Sequence, residues 1–442
     1  LNLYKAFLEQ AHALLRTDGR LGFIVPSGLY SDHGTGHLRR LFLDHCRWEW
    51  LFGFENREAI FPIHRSFKFN PIIVEKDGHT AAIRTAFMRR KLEDWERAED
   101  FATHYARAQV DRFSPRSKSI LEIQSKRDLE ILEKIYSNSV LLGDQGPDGW
   151  GITYSTEFHM TNDSALFPPR TKWEEQGYKP DEYSRWVKGN WRPIADLWSE
   201  LRIDPTRAIP IDPACEQEIA RRGADVQRTS PAVRCAQPPY DTLPIPRADI
   251  PAGIILSRNG DEWISESAVE DISLPLYEGR MIDQFDFSAK GWVNGKGRTA
   301  VWREIGWADK RVEPQYLMSQ SDVSSSAKSN SGPKIAYMRI SSATNSRTTI
   351  STYLRSVPAG DSVFFFLPSR NPMRTAVVCS SVLSSLAFDV VLRQRLGGLN
   401  MSEFVMVEAP LPHGGTAAAE AVYDLALGLG LADRLFAPEG IS

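Results

Sequence analysis

Cysteine is scarce in this 442-residue chain and has no pattern: Cys46, Cys215, Cys235 and Cys379 stand far apart, with no CxxC pair. That spacing argues against a zinc ribbon and against a disulfide framework, and fits a reducing cytoplasm. Long apolar runs are lacking too. None reaches the roughly 18–20 residues needed to cross a bilayer, and Leu1–Leu15 is interrupted by Lys5, Glu9 and His12, so no signal peptide is expected. Charge of one sign is not in excess either. With 53 Lys and Arg against 56 Asp and Glu the net charge is −3, so nucleic-acid binding would have to rest on local basic patches. No metal site is expected.

What is present begins with an amphipathic stripe, Leu3, Tyr4, Phe7, Leu8, Ala11, Leu14 and Leu15, which predicts a helix stopped by Gly19. Leu21–Val25 reads as a fully buried strand of the parallel-sheet kind, ended by Pro26. A polar loop and a helix over His37–His45 follow. Trp48–Phe54 and Phe67–Val74 predict two more strands, and Ala81–Phe87 a third, antiparallel to the last across Asp77-Gly78-His79. The first 90 residues therefore read as the second half of an α/β sheet, with no glycine-rich cofactor turn ahead of it. Between two of these strands lies Ile60-Phe61-Pro62. Such a loop suits an aromatic face held against a flat ligand, a nucleobase above all; the alternative is a hairpin whose Phe61 plugs the core.

The stretches LYKAFLEQAHALLRTDGRLGFIVPSGLYSDHGTGHLRRLF and FENREAIFPIHRSFKF resemble the later half of the catalytic domain of N6-adenine DNA methyltransferases, in particular the large Eco57I-like and phage-defence enzymes of restriction-modification systems. Trp150–Phe167, Leu274–Asp286, Ala343–Ser351 and Leu386–Pro412 resemble the target-recognition half of the same enzymes, in the same order. The resemblance implies a partial Rossmann-like methyltransferase sheet over residues 1–115, a helical linker over 116–145 and a mixed α+β target-recognition domain over 146–442. It implies S-adenosylmethionine as cofactor and double-stranded DNA as partner. By the same match Phe61 stacks on the extruded adenine and Pro62 stiffens its loop.

The family's Asp/Asn-Pro-Pro-Tyr/Phe tetrapeptide and its cofactor site have no counterpart here. Gln237-Pro238-Pro239-Tyr240 follows the stacking loop and reads as a polyproline loop. Asn70-Pro71-Ile72 reads as a strand irregularity and Asn371-Pro372-Met373 as a helix or loop start. The expectation is a fragment of a longer enzyme, a subunit whose partner chain carries the N-terminal half, or a degenerate remnant. A non-catalytic DNA-recognition or assembly subunit of a defence complex is the alternative function.

Downstream, a helical pattern over Ser119–Tyr136 predicts a solvated linker helix, and Arg112, Arg116, Lys118, Lys126 and Arg127 could face phosphates. Asp204–Pro251, rich in Pro and Arg, reads as an extended insertion, and Ser319–Ser331 as a flexible serine loop. Arg298, Arg303, Lys310 and Arg311 alternate with Trp292, Trp302 and Trp307, as on a phosphate-binding surface or as buried Trp among solvated Arg. Arg339, Asn345 and Arg347 suit base edges and phosphates; Asn345 and Arg347 could equally tie a turn. Thr375–Leu396 predicts one apolar helix.

Overall fold

The computed structural model describes residues 2–202, 250–307, 310–414 and 417–430. It is a mixed α/β structure with several sheets. The chain packs as two units: Leu1–Ser155 with Gly332–Leu354 and Ser362–Leu427, and Thr156–Ser331 with Arg355–Asp361. Most of the expected Asp204–Pro251 insertion, and all of Gln237–Tyr240, lie outside the described residues. No single described helix is long and apolar enough to cross a membrane.

The first unit opens with helix α1 (Leu3–Leu14), strand β1 (Arg20–Pro26), short helix α2 (Gly28–Ser31) and helix α3 (Gly36–Asp44). Strands β2 (Cys46–Glu55), β3 (Lys68–Lys76), β4 (Ala82–Arg89) and β5 (Thr103–Ala106) complete a sheet of order β1-β3-β2-β4-β5. Aromatic and branched residues crowd β2, and Trp48, Leu51, Phe52 and Phe54 are almost wholly buried, the environment such side chains favour in a sheet. β3 lies between β1 and β2 although it contains Pro71, which has no N–H to donate. Asn70, beside it, sends its side-chain amide to the Val25 carbonyl of β1 at 3.2 Å. The expected irregularity is therefore a proline inside a central strand.

Two strand expectations are corrected. β1 runs antiparallel to β3 and alternates between exposed and covered positions, with Leu21 and Phe23 half-buried, Val25 buried and Ile24 53% exposed. It is an edge strand among the described residues, so its apolar run does not reflect burial on both faces. β4 does not fold back on β3; it runs parallel to β2 and pairs antiparallel with β5. The cause is Thr80. Its hydroxyl donates towards the Phe42 and Cys46 carbonyls, both at 2.9 Å, and accepts the Trp48 N–H at 2.8 Å. This buried peg carries the chain past the start of β2 to its other side.

The linker segment also differs from expectation. Helix α4 (Glu93–Glu96) is short, α5 spans Arg107–Phe113, and α6 starts only at Lys126 and ends at Ser137. Ile120, Leu121 and Ile123 are buried in extended chain ahead of α6, and Ser125 caps the helix by accepting the Asp128 N–H. Strand β6 (Ser139–Leu141) pairs with Pro410–Pro412. Strand β7 (Ile152–Ser155) joins Val363–Pro368, Lys334–Met338 and Ser351–Leu354 in a four-stranded sheet. The expected helix over Thr375–Leu396 is two helices, Pro372–Leu383 and Leu386–Arg395, bent by 69°. Ser384 donates to the Ser351 carbonyl and Ser385 caps the second helix, so the two serines close one helix and start the next. Asn371-Pro372 does begin a helix, with proline in its first turn.

One buried ion pair locks these pieces together. Arg395, 7% exposed, donates to Glu408 (2.9 Å), to the carbonyls of Phe113 (2.8 Å) and Val405 (3.1 Å), and to the Ser114 and Tyr136 hydroxyls. Glu408, 1% exposed, also accepts the N–H groups of Arg116 and Ser117 and the Ser117 hydroxyl. Burial opposes the charge of Arg395, but Tyr136 and Glu408 outweigh it and raise its pKa.

In the second unit, Trp186–Gly189 and Val269–Pro275 pair antiparallel between Lys179–Pro180 and Leu317–Ser319. A small sheet holds Arg192–Pro193, Glu262–Ser265 and Ile254–Leu256, and Lys290–Asn294 forms a hairpin with Val301–Glu304. The serine stretch is partly ordered: Ser319 caps a short helix over Gln320–Ser325. Glu278 is largely buried beside Tyr316, with Oε2 lacking a hydrogen-bond partner among the described residues, and burial pushes its carboxyl up to about 7.

Arg395→Ala should destabilise the first unit by about 3–5 kcal/mol, because Glu408 is left buried and unpaired; a denaturant titration matching the wild-type midpoint would refute this. In the second unit, the folded-state pKa of Glu278 is raised above its unfolded value of 4.5. Its stabilising contribution is thus complete below pH 4.5 and is lost as the pH rises through about 7. The loss is on the order of 3 kcal/mol at most. Glu278→Gln should flatten that part of the stability–pH curve, and an unchanged slope would show that the carboxyl is not protonated in the fold.

Candidate functional site

The loop between β2 and β3 is shaped by a residue that sequence reasoning passed over. Asn56–Glu58 forms a single 3-10 turn, after which Ala59 adopts a left-handed φ of 54°. Asn56 is fully buried. Its amide nitrogen donates to the carbonyls of Phe61 (2.9 Å) and Ile63 (3.0 Å), and its amide oxygen accepts the Phe61 N–H (3.0 Å). A buried carboxamide satisfied on both ends fixes the backbone around it. Pro62 is exposed and adds rigidity only through its own ring.

Phe61 is half-buried. Its ring meets Phe69 edge-on, with centroids 4.8 Å apart and planes at 87°, and Phe69 lies parallel to Phe54 at 5.0 Å and 11°. Phe52 and Trp95 extend the aromatic cluster. The ring is therefore neither a sealed core plug nor a free-standing platform. Beyond it the loop is exposed, including Ile63 (47%) and Phe67 (60%).

The strand below this loop is anchored by charge. Lys68, at the start of β3, reaches both oxygens of Glu122 at 2.8 and 2.6 Å, and the Tyr30 hydroxyl donates to the same carboxylate at 2.7 Å. Glu122 is 3% exposed. Burial and then the Glu122 charge push the Tyr30 hydroxyl well above its ordinary pKa, so it remains a donor.

The turn after β1 is organised by Arg39 of α3, which is fully buried. It donates to the carbonyls of Leu29 (2.9 Å), Asp32 (2.7 Å) and Ser117 (2.8 and 3.0 Å). Burial lowers its pKa to about 10, which leaves it charged at neutral pH. This strand-to-helix turn contains Gly28, which is closely packed: a Cβ there would meet the Asp32 carboxylate at 2.5 Å and the Tyr4 hydroxyl at 3.1 Å. Among the described residues no group of three or more metal-ligating side chains gathers.

The residues expected to contact DNA have separate fates. Lys310 is the clear correction. Its ammonium is turned inward to Asp286 (2.7 Å) and the carbonyls of Ser288 (2.9 Å) and Ile305 (3.0 Å), with its side chain 3% exposed. A cation that satisfied has no donor left for a phosphate. Arg303 and Arg311 both pair with Glu313, at 2.5 and 2.8 Å; burial would raise that carboxyl, but the two arginines outweigh it and hold its pKa down. Arg347 donates to the Ser384 carbonyl and stands 3.6 Å from Asp389, and the Asn345 N–H closes a turn on Ser342, so the turn-tying alternative describes both backbone and guanidinium here. The Asn345 side chain itself is exposed. Arg298 is exposed at the tip of the Lys290–Glu304 hairpin, next to exposed Lys296, and Arg339 lines a cavity of the first unit. The structure does not gather these residues into one site with Phe61. Asn56 carried only a weak sequence signal, a short amide side chain at the end of a strand.

Asn56→Ala should strip three backbone groups of their partners, cost about 1–3 kcal/mol, and accelerate hydrogen exchange at the Phe61 amide. An exchange rate equal to wild type at that amide would show that the loop holds its shape without the clamp.

Residues 1–61 match the Eco57I restriction-modification methylase family. The comparison with curated proteins gives no match. Three solved structures are similar in part. A chain of a type I R-M system is 19% identical with a TM-score of 0.19, over 22% of this chain and 23% of that one. The type IIG restriction endonuclease BpuSI is 10% identical with a TM-score of 0.29, over 96% and 44%. DrdV in its DNA complex is 10% identical with a TM-score of 0.39, over 97% and 39%. This chain thus spans less than half the length of each. The matched segment, which ends on Phe61, is similar to the methylases of restriction-modification systems.

Proposed function

We propose that this chain forms part of a site-specific DNA adenine N6-methyltransferase of a restriction-modification or phage-defence system. The observation that carries the reading is the clamped aromatic loop at the end of the segment that matches the methylase family. An adenine inside a duplex keeps its amino group within the base stack, so chemistry on it requires the base to be swung out and held. Phe61 offers a partly open ring whose position is fixed by Asn56 from the backbone side and by Phe69 from the ring side. Fixed placement matters because a stacking partner that must first be ordered gives part of its binding energy back.

S-adenosylmethionine is the methyl donor of the reading, and the sequence holds no Asp/Asn-Pro-Pro-Tyr/Phe tetrapeptide. On this reading the cofactor and the acceptors for the adenine amino group would be supplied by a further segment or a partner chain. Such a half has a place to dock. Among the described residues β1 pairs on one side only, and Leu3, Phe7 and Leu14 of α1 and Ile24 of β1 are 53–77% exposed. An open strand edge beside apolar side chains is what a continuing sheet covers. The missing tetrapeptide favours, as second reading, a non-catalytic recognition or assembly subunit.

In the complete enzyme, Phe61→Ala should slow single-turnover methylation by the equivalent of about 1–3 kcal/mol, roughly five- to 150-fold. Digestion of the product to nucleosides should show N6-methyladenine. Wild-type single-turnover rates in the mutant would remove the stacking role, and no methylation by any assembly containing this chain would favour the second reading.

A further inference from the structure

Phe67 pairs an exposed ring with a fixed backbone. Its side chain is 60% exposed, whereas Phe69, two residues on, is 6% exposed and meets the Phe61 ring edge-on at 4.8 Å. The Phe67 carbonyl accepts the Asn56 N–H at 3.0 Å, and the Phe67 N–H donates to the His64 carbonyl at 3.0 Å. Within that turn His64 Nδ1 accepts the Ser66 N–H at 3.2 Å and lies 2.7 Å from the Ser66 hydroxyl. The His64 ring stands edge-on to Phe67 with centroids 6.3 Å apart. A turn braced in this way holds its apolar ring out in water, where the ring itself gains nothing.

The register of the hairpin places that ring relative to Phe61. Phe54 pairs with Phe69 and Glu55 with Lys68, so the bond from Asn56 to Phe67 continues the same ladder by one residue. Alternation along extended chain then sends the Phe67 side chain to the face of Phe69, about 6.6 Å further along the strand direction. Asn56 is thereby tied to both rings of the loop. Its main-chain N–H fixes Phe67, and its side-chain amide fixes the N–H and carbonyl of Phe61.

Charge is not what this turn offers. Arg57 pairs with Glu55 at 3.3 Å and Lys68 with Glu122 at 2.6 Å, and exposed Arg65 is offset by exposed Glu58. Nor does it offer area: Ile63 and Phe67 are the large apolar side chains it exposes, well short of the roughly 800 Å² that a stable protein interface takes from each partner. A single apolar ring on a fixed backbone suits insertion between bases, where phenylalanine is among the side chains that enter a step as a wedge. Extruding a base leaves its neighbours without a stacking partner and its opposite base unpaired. Phe61 can hold only the base that has left, so the position behind it needs a second planar group. We propose that Phe67 is that group, a wedge whose ring enters the base stack at the position vacated by the adenine on Phe61. The inference rests on the reading of Phe61 as the ring that holds an extruded base, and adds to it the side chain that keeps the base from returning.

The test is fluorescence anisotropy of the full chain with two labelled duplexes of one sequence, one intact and one carrying a tetrahydrofuran abasic residue in place of a central adenine. The abasic duplex presents the vacancy without the cost of extrusion, so the wild-type chain should bind it about tenfold or more tighter than the intact one. Because both duplexes carry the same phosphates, that preference should be equal at low and at moderate salt. Phe67→Ala should abolish it and Phe67→Trp, planar and apolar, should retain it; thermal melting at the wild-type temperature shows that both variants are folded. Phe61→Ala should retain the preference as well, since an abasic residue gives that ring nothing to hold. A wild-type preference in Phe67→Ala, equal affinity of the wild-type chain for the two duplexes, or binding to neither overturns the wedge. Loss of the preference in Phe67→Ala together with wild-type methylation by Phe61→Ala in the complete enzyme removes the role of Phe61 and leaves the insertion of Phe67 standing.

Discussion

The first unit depends on the burial of Arg395 against Glu408. Removing a guanidinium and a carboxylate from water costs several kcal/mol each, and attraction alone does not restore it unless the remaining donors and acceptors are also filled. Here they are filled by distant parts of the chain. Arg395 reaches Phe113, Ser114 and Tyr136, while Glu408 gathers the amides of Arg116 and Ser117. Within it, Arg116 and Glu408 are 292 residues apart in sequence. A network of this kind ties Ser362–Leu427 to the N-terminal region, with which it packs in one unit.

The same anchor supports both the aromatic loop and the cavity that Arg339 lines. One residue before Arg395, the Gln394 carbonyl accepts the Glu122 N–H at 2.8 Å, and Glu122 holds Lys68 at the start of β3. The next residue in β3, Phe69, carries the ring on which Phe61 rests. On the other side of Arg395, Leu396–Asn400 runs directly into the wall of the cavity. The aromatic loop and the cavity are thus built on rigid elements sharing one buried foundation, the arrangement that keeps a site within fractions of an ångström of its working geometry.

What the sequence revealed follows from how local each signal is. The strands at Trp48–Phe54 and Phe67–Val74 and the helix near His37–His45 were legible because alternation, aromatic content and helical periodicity are properties of a short window. Pairing partners were not, since nothing within Leu21–Val25 or Ala81–Phe87 records that Thr80 sends the chain past β2. The break between Pro372–Leu383 and Leu386–Arg395 was hidden because the apolar periodicity runs on through Ser384 and Ser385, and only the Ser351 carbonyl and the cap at Phe388 disclose why those serines matter. Phe61 could be singled out from its resemblance to a family motif, but Asn56, which sets the loop, could not.

The basic residues of the second unit show the same limit from the side of charge. Interleaved Arg and Trp read equally well as a phosphate-binding face and as a wall of internal ion pairs, because the deciding acids lie elsewhere in the chain: Glu313 for Arg303, Asp286 for Lys310. Once those carboxylates have closed on their partners, counting Lys and Arg overstates what remains for a ligand. What does remain is set by backbone shape. In the hairpin tip Gly295 and Gly297 take left-handed φ values of 82° and 57°, and the Trp292 indole N–H fixes the turn by donating to the Gly295 carbonyl at 3.1 Å. That geometry leaves Lys296 and Arg298 outside the hydrogen-bonded ladder and exposed. The hairpin thus presents these two cations at its turn, while Arg303 in the strand behind them stays paired with Glu313.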